Sequence, residues 1–160
     1  MRSVERHRAI EIREGGLEHP AVIALIARHL ASAHAHSPPD SVHALGLERL
    51  RQPGLRFFTA WIDGALAGMG AIKTLSPDHA ELKSMRTVDA FQRQGVAVAM
   101  LRHLLEIAAS MGCTRVSLET GSMAAFAPAR ALYGRFGFVE CPPFGDYRED
   151  PNSVCMTRML

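Results

Sequence analysis

One short polar segment, from Gln92 to Ala97, has the residue types and the position to bind a phosphate group. It follows a strand-like run and opens a long helical pattern that begins at Gly95. The first turn of a helix has unpaired backbone N–H groups and the positive end of the helix dipole. Gly95 and Ala97 leave room for a phosphate to approach these groups, while Gln92, Arg93 and Gln94 add donors or charge. Taken alone, the segment fits a pyrophosphate cradle and an ordinary helix start about equally well.

Hydrophobic periodicity predicts the elements that would position this segment. Seven strands are expected at residues 8–13, 57–62, 65–72, 80–88, 115–119, 138–141 and 154–159. Helices are expected at 18–33, 95–111 and 124–136, with a further short helix that is capped by Asp40 or Ser41 and holds Val42, Leu45 and Leu50. The prediction is an α+β fold: one domain over residues 1–160, a mostly antiparallel twisted sheet of about seven strands, and about four helices.

The bulk composition narrows the function classes. A chain of 160 residues fits one domain, and a formal charge of +2 without a run of like charges argues against a nucleic-acid binder. Its three cysteines form no CxxC pair, so we expect free thiols in a reducing cytoplasm. The charged N-terminus has no apolar run after it, and no stretch has the length of a membrane span. We therefore expect a cytoplasmic protein without membrane or nucleic-acid partners.

Two motifs at a characteristic separation resemble those of the GCN5-related N-acetyltransferase (GNAT) superfamily. Gln92-Arg-Gln-Gly-Val-Ala97 matches the family pattern Gln/Arg-x-x-Gly-x-Gly/Ala, and Ala129-Arg-Ala-Leu-Tyr-Gly-Arg-Phe-Gly-Phe138 is similar to Ala-x-x-Leu-Tyr-x-x-x-Gly-Phe. The resemblance covers the chain from about residue 8. It is closest to a subgroup of small bacterial acetyltransferases that have Leu-Glu-Thr-Gly after the fifth strand and Pro-Phe-x-x-Tyr later, here Leu118–Gly121 and Pro143–Tyr147.

The resemblance implies acetyl-CoA as cosubstrate and direct attack by an acceptor, with no covalent enzyme intermediate. It also implies that the strand before the motif splays from its neighbour and presents backbone groups to the pantetheine arm. A bulge in that strand would point an N–H at the thioester carbonyl, as in an oxyanion hole. The implied cofactor-binding residues are Met85, Thr87, Gln92, Arg93, Gln94, Gly95, Val96 and Ala97.

Two residues are implied to take part in catalysis. Tyr133 matches the frequent general acid of the family, which protonates the departing thiolate; the alternative is a hydrogen-bonded tyrosine on a core-facing helix. Glu81 lies at the distance before Gly95 at which some members have a general base. The alternative for Glu81 is a surface carboxylate paired with Lys83, and many relatives use a chain of water molecules instead.

Several other residues have no assigned role. Four histidines lie around the first two predicted helices: His29, His34, His36 and His43. No acidic or cysteine partner stands in register with them, so we expect no metal site, and they could instead line an acceptor site. Phe126 stands where many relatives have an asparagine that bonds the cofactor, which puts that contact in doubt. The loop 142–153 is either a solvated loop or part of acceptor recognition.

The predicted function is transfer of an acetyl group from acetyl-CoA to an unidentified acceptor, expected to be an amine and a small molecule. A small amine, an amino acid, an antibiotic and a protein N-terminus are the open alternatives. One alternative is a non-catalytic acyl-CoA-binding module, and another is an oligomeric interaction protein that reuses the fold without a ligand. A homodimer is possible, since dimers are common among relatives.

Overall fold

The structure is a computed structural model that describes residues 8–160. Seven strands form one sheet in the order β1-β2-β3-β4-β5-β7-β6. The strands are β1 Glu11–Glu14, β2 Leu55–Ile62, β3 Ala65–Ser76, β4 His79–Thr87, β5 Arg115–Gly121, β6 Val139–Cys141 and β7 Ser153–Met159. The helices are α1 Pro20–His36, α2 Leu47–Leu50, α3 Val96–Ser110 and α4 Ala127–Arg135. Within the described residues this confirms the predicted fold class and the order of the elements.

Apolar side chains cover both faces of the sheet. On one face, α3 packs Met100, Leu101 and Leu104 against the central strands. On the other face, α1 packs Val22, Leu25 and Ile26 in a second cluster, which includes Trp61 and Phe57 of β2. Helical spacing of apolar residues produces both contacts, since side chains three or four positions apart share one face of a helix.

A tight turn at Asp63 and Gly64 joins β2 to β3. Both residues have positive φ, 49° and 80°, as a two-residue hairpin turn requires. The turn lies between the predicted strands 57–62 and 65–72, and it sets the pairing of Ile62 with Ala65 and of Trp61 with Leu66.

The prediction of a helix from Asp40 or Ser41 through Leu50 is wrong. A 3₁₀ turn covers Pro39–Ser41, the chain then runs extended, and only Leu47–Leu50 is helical. Val42 has extended backbone angles, and Gly46 has φ −79° and ψ 174°. A β-branched residue and a glycine both oppose helix, and so short a segment gains little from internal hydrogen bonds.

Other boundaries differ from the predicted ones by a few residues. Helix α1 continues to His36 and ends before Ser37-Pro38, because the residue before a proline is excluded from helical angles. Strand β5 extends two residues beyond the predicted end, to Gly121. The predicted helix 124–136 divides into a 3₁₀ turn at Ala124–Phe126 and the helix α4.

The pairing of β4 with β5 is the feature that creates the site. It is the one parallel pairing in the described sheet, and it joins only residues 79–82 to residues 115–118. Strand β4 continues to Thr87 and β5 to Gly121 without pairing to each other. The two strands therefore separate toward their carboxyl ends, as the resemblance implied for the strand before the motif.

Candidate active site

A cavity of about 730 Å³ opens where β4 and β5 separate. Its walls come from α1, the segment after it, β4, the start of α3, β5, α4 and the loop after β6. Seven of the eight predicted cofactor-binding residues line it: Met85, Thr87, Gln92, Arg93, Gly95, Val96 and Ala97. Both predicted catalytic residues, Glu81 and Tyr133, line the same cavity.

The start of α3 has the backbone of an open anion cradle. Gly95 is the N-cap residue with φ 82°, and no side chain caps the helix. A Cβ added at Gly95 would meet nothing within 4 Å, so the space in front of the helix is free. Arg93 also has positive φ, 63°, and residues of this conformation turn neighbouring N–H groups toward one concave side. The site thus suits an anionic group such as the pyrophosphate of CoA.

Gln94 is the exception among the predicted cofactor residues. Its side chain Nε2 donates to the carbonyl oxygen of Ala90 at 3.4 Å. It is absent from the cavity lining, so the structure gives this amide a local role in the turn. Its assignment as a cofactor ligand stays an untested prediction.

A bulge interrupts β4 beside the cavity. Met69 pairs with Arg86 and Ala71 with Lys83, so Ser84 and Met85 together face the single residue Gly70. Ser84 has φ 57°, a conformation that is uncommon for residues other than glycine. A Cβ on Gly70 would lie 3.0 Å from Met85 Sδ and 2.8 Å from Met100 Cγ, so the strand packs here only around a glycine. The bulge that the resemblance implied is therefore present, at Ser84 and Met85.

Tyr133 reaches the cavity from α4. The residue is 8% exposed, and its ring packs edge-on against Phe138. Burial, reinforced by the negative charge of Glu119, raises the pKa of Tyr133 from 10 to about 12. The hydroxyl therefore keeps its proton at neutral pH and is available as a donor inside the cavity.

Glu81 takes part in a buried three-residue network with Lys83 and Tyr147. Lys83 Nζ lies 3.1 Å from Glu81 Oε2 and 2.9 Å from the Tyr147 hydroxyl, which also donates to Glu81 Oε2. Glu81 is 3% exposed. The predicted pairing with Lys83 is confirmed, but the interpretation of Glu81 as a surface carboxylate is wrong. Burial and the charge of Glu81 raise the pKa of Tyr147, so this hydroxyl stays protonated.

Glu119 is a cavity residue to which the sequence analysis assigned no role. It follows Leu118, the last β5 residue that pairs with β4, and it lines the cavity. Burial raises the pKa of Glu119 from 4.5 to about 7, although the Ser153 hydroxyl, which donates to it at 2.9 Å, and Lys83 oppose the rise. Strand alternation could have found it, since Ser117 pairs with Glu81 and Glu119 lies two residues further along the same face.

Phe126 lines the cavity next to Gly121. A Cβ on Gly121 would lie 2.2 Å from the Phe126 ring, so the ring occupies the space of a missing side chain. Arg130 Nη1 donates to the carbonyl oxygens of Gly121 and Met123 at 2.7 and 3.0 Å. An apolar ring and an arginine thus hold this turn, and the ring itself offers the cofactor no hydrogen bond.

The remaining candidates divide between the cavity and the surface. His29, His36 and His43 line the cavity on the side of α1, whereas His34 does not. No group of three or more His, Cys, Asp or Glu residues among residues 8–160 could hold a metal ion. In the same part of the chain, no helix is long and apolar enough to cross a membrane.

The fold, with its separated parallel strands beside an uncapped helix start, matches that of an acyl-CoA-dependent acyltransferase. The family model of the acetyltransferase (GNAT) family matches residues 23–138. The chain belongs to this family, and it is an acetyltransferase that uses acetyl-CoA as its donor.

Two relatives match nearly the whole chain. An uncharacterized N-acetyltransferase of Bacillus subtilis, YsnE, is 55% identical over 139 residues, which cover 87% of this chain and 92% of the relative. An uncharacterized N-acetyltransferase of Escherichia coli, YedL, is 47% identical over 149 residues, which cover 93% and 94%. The chain thus aligns with almost the full length of both relatives.

Solved structures show the same architecture. A Klebsiella pneumoniae protein proposed to be an acyl-CoA N-acyltransferase superposes with a TM-score of 0.76 at 26% identity and covers 94% of this chain and 97% of its own. The PaiA N-acetyltransferase of Thermoplasma acidophilum, solved with coenzyme A, gives a TM-score of 0.72 at 17% identity and covers 95% and 99%. The second likeness bears on the fold alone.

Proposed function

We propose that this acetyltransferase modifies a small-molecule amine, which attacks the acetyl thioester directly in the cavity between β4 and β5. The observation that supports it is that one cavity joins an open phosphate cradle at Gly95 to a carboxylate and a tyrosine hydroxyl at Glu119 and Tyr133. Bound acetyl-CoA supplies the activated acetyl group. The chain supplies the groups that hold it and move protons.

In this proposal Glu119 is the general base. An ammonium acceptor must lose a proton before its lone pair can attack, and a carboxyl group with a pKa of about 7 can accept it at neutral pH. Glu81 is less suited to this task, because Lys83 and Tyr147 both bond its Oε2. Glu81 as the base, predicted from the resemblance, remains the second candidate.

The remaining steps are assigned to the backbone of β4 and to Tyr133. The bulge at Ser84 and Met85 lies in the part of β4 that has separated from β5. A backbone N–H at this position can stabilise negative charge on the thioester oxygen. Tyr133 then donates its proton to the departing thiolate, and the second proton, lost by the nitrogen of the tetrahedral intermediate, restores the Tyr133 hydroxyl. The proton that Glu119 took from the amine returns to solvent. Met85, Thr87 and the 92–97 segment hold the donor.

The remaining predictions belong to the same proposal. We propose a single domain, a small acceptor that fits a cavity of about 730 Å³, and a homodimer, which sedimentation velocity would test. The three cysteines are free thiols, as a cytoplasmic location favours.

A panel of amines assayed with acetyl-CoA tests the function. Thiol release and the acetylated product are measured together, the product by mass spectrometry, with Gly95→Glu as the variant that cannot hold the donor. Acetyl-CoA binding without amine-dependent thiol release, across polyamines, amino acids and aromatic amines, would favour the non-catalytic binding module. An acetylated product that forms only when the acceptor is a protein would refute the small-molecule proposal.

A further inference from the structure

We propose that the acceptor carries a carboxylate, which binds to Arg86 with the help of His29 and Ser84 on the α1 side of the cavity. The amine of such an amino acid would then lie toward Glu119. This inference deepens the proposed function and rests on it. It concerns which acceptors the site selects.

Unpartnered polar atoms mark this part of the cavity. Four buried side-chain atoms among the described residues lack a hydrogen-bond partner: His29 Nδ1, Ser84 Oγ, Arg86 Nε and His103 Nε2. The first three residues line the cavity, and His103 does not. A buried polar atom without a partner is costly, so three of them in one cavity indicate a polar ligand group.

Arg86 gives this part of the cavity a positive charge that Asp89 compensates only partly. Arg86 Nη2 lies 3.7 Å from Asp89 Oδ1, which is too far for a hydrogen bond, and the other oxygen of Asp89 bonds Arg28. Burial and the charge of Arg86 lower the pKa of His29 from 6.5 to about 4, so this imidazole is neutral and adds no second charge. An uncharged ring N–H, a hydroxyl and a guanidinium together match a carboxylate.

Acetyl-CoA, the acetyl donor, does not need the polar atoms of Arg86, His29 and Ser84. Met85 packs in the α3 cluster, whereas Arg86 lies toward Asp89 and α1, on the opposite face of β4. The phosphate cradle at Gly95 has its own cation in Arg93. Lys83, the other cation on the α1 face, is already paired with Glu81. On the α1 face of β4, Arg86 is therefore the cation that remains for the acceptor.

The spacing limits the size of the acceptor. Leu82 pairs with Leu118, so Glu119 lies near the level of Lys83, three residues before Arg86. At about 3.3 Å per strand residue the two positions are about 10 Å apart along the strand direction, and the separation of the two strands adds to this distance. The bulge and the long arginine side chain shorten the gap between the charged groups. An amine and a carboxylate on one compact molecule can span it.

Binding of amino acids and their amides tests the inference without requiring turnover. Glycine, leucine and phenylalanine are titrated calorimetrically against the protein saturated with CoA, each beside its amide, which keeps the amine and removes the negative charge. We expect at least one acid to bind about tenfold or more tightly than its amide, the size of one charge-assisted hydrogen bond. Arg86→Gln should remove this preference, and Arg86→Lys should keep part of it.

The matched control is Arg102→Gln, which removes the same charge from an exposed position on α3 outside the cavity. It should keep the preference for the acid. Acids that bind no better than amides, an undiminished preference in Arg86→Gln, or an equal loss of CoA affinity in that variant would each overturn the inference. If an acid binds as expected but no amine is acetylated, the carboxylate site stands and the proposed transfer fails.

Discussion

Replacement of Glu119 by Gln should stabilise the protein at alkaline pH while lowering its activity. Burial raises the pKa of Glu119 from 4.5 to about 7. At about 1.4 kcal/mol per pKa unit this corresponds to about 3 kcal/mol, and solvent on the open side of the cavity reduces it to about 2 kcal/mol. Gln keeps the shape, can accept the Ser153 hydrogen bond, and has no charge to bury.

Because the pKa of Glu119 is higher in the folded chain than in the unfolded chain, the stability difference between the two proteins changes only between these two pKa values. Below pH 4.5 the carboxyl group is protonated in both folded and unfolded chains, so Gln and Glu should behave alike. Between pH 4.5 and about 7 the unfolded chain loses the proton first, which favours unfolding of the wild type. The difference between the two proteins should therefore grow through this range and stay constant above it.

Urea denaturation of both proteins at pH 4, 5, 6, 7 and 8, without CoA, measures this difference. Glu140→Gln is the control, because it makes the same substitution at an exposed position on β6. The acid limb of the pH–rate profile near pH 7 should also disappear in Glu119→Gln. A flat stability difference from pH 4 to 8 would show that Glu119 is not held in an unfavourable environment, and the argument for it as the base would fail.

Three further substitutions test the rest of the site. Gly95→Glu should abolish the stabilisation by CoA that a thermal-shift assay measures. The control Gly112→Glu, at a position with a similar φ of 85° and equally open space, should have the same backbone strain and keep CoA binding. An equal loss of CoA binding in both variants would refute the assignment of the phosphate cradle. Tyr133→Phe should keep CoA affinity and reduce kcat by about 10²–10⁴-fold, and unchanged turnover with chemistry rate-limiting would leave Tyr133 a structural residue. Glu81→Gln should destabilise the fold by about 3 kcal/mol, because it leaves buried Lys83 without its counter-charge. Urea denaturation should show that the double variant Glu81→Gln/Lys83→Met regains much of this stability. No recovery in the double variant would refute the ion-pair explanation.

Local signals in the sequence predicted the parts of the fold that depend on local geometry. The Asp63-Gly64 turn and the helix start at Gly95 both require positive φ, which Gly64 and Gly95 adopt readily and which Asp63 adopts as well. The predicted helix through Leu45 failed because apolar spacing alone does not outweigh a glycine and a β-branched residue in so short a segment. Tertiary packing places that segment instead.

The parts of the site that the sequence did not reveal depend on contacts between distant residues. Tyr147 bonds Glu81 across 66 positions of the chain, so no periodicity relates them. The unusual environment of Glu119 arises from burial by several elements at once, and the sequence shows only a strand carboxylate. The bulge at Ser84 was implied by the resemblance, but its register against Gly70 required the structure.

The short parallel ladder between β4 and β5 divides the sheet into two antiparallel parts, one of four strands and one of three, joined by four residue pairs. Fluctuations that open this seam break few backbone hydrogen bonds, so amide protons near Leu82 and Leu118 should exchange with solvent through a sub-global opening. A donor that lies between the strands contacts both parts and raises the free energy of that opening. Acetyl-CoA would therefore increase the folding cooperativity of the whole sheet in addition to its role in the chemistry. Hydrogen exchange should show the two parts of the sheet opening as separate units without CoA and as a single unit with CoA bound.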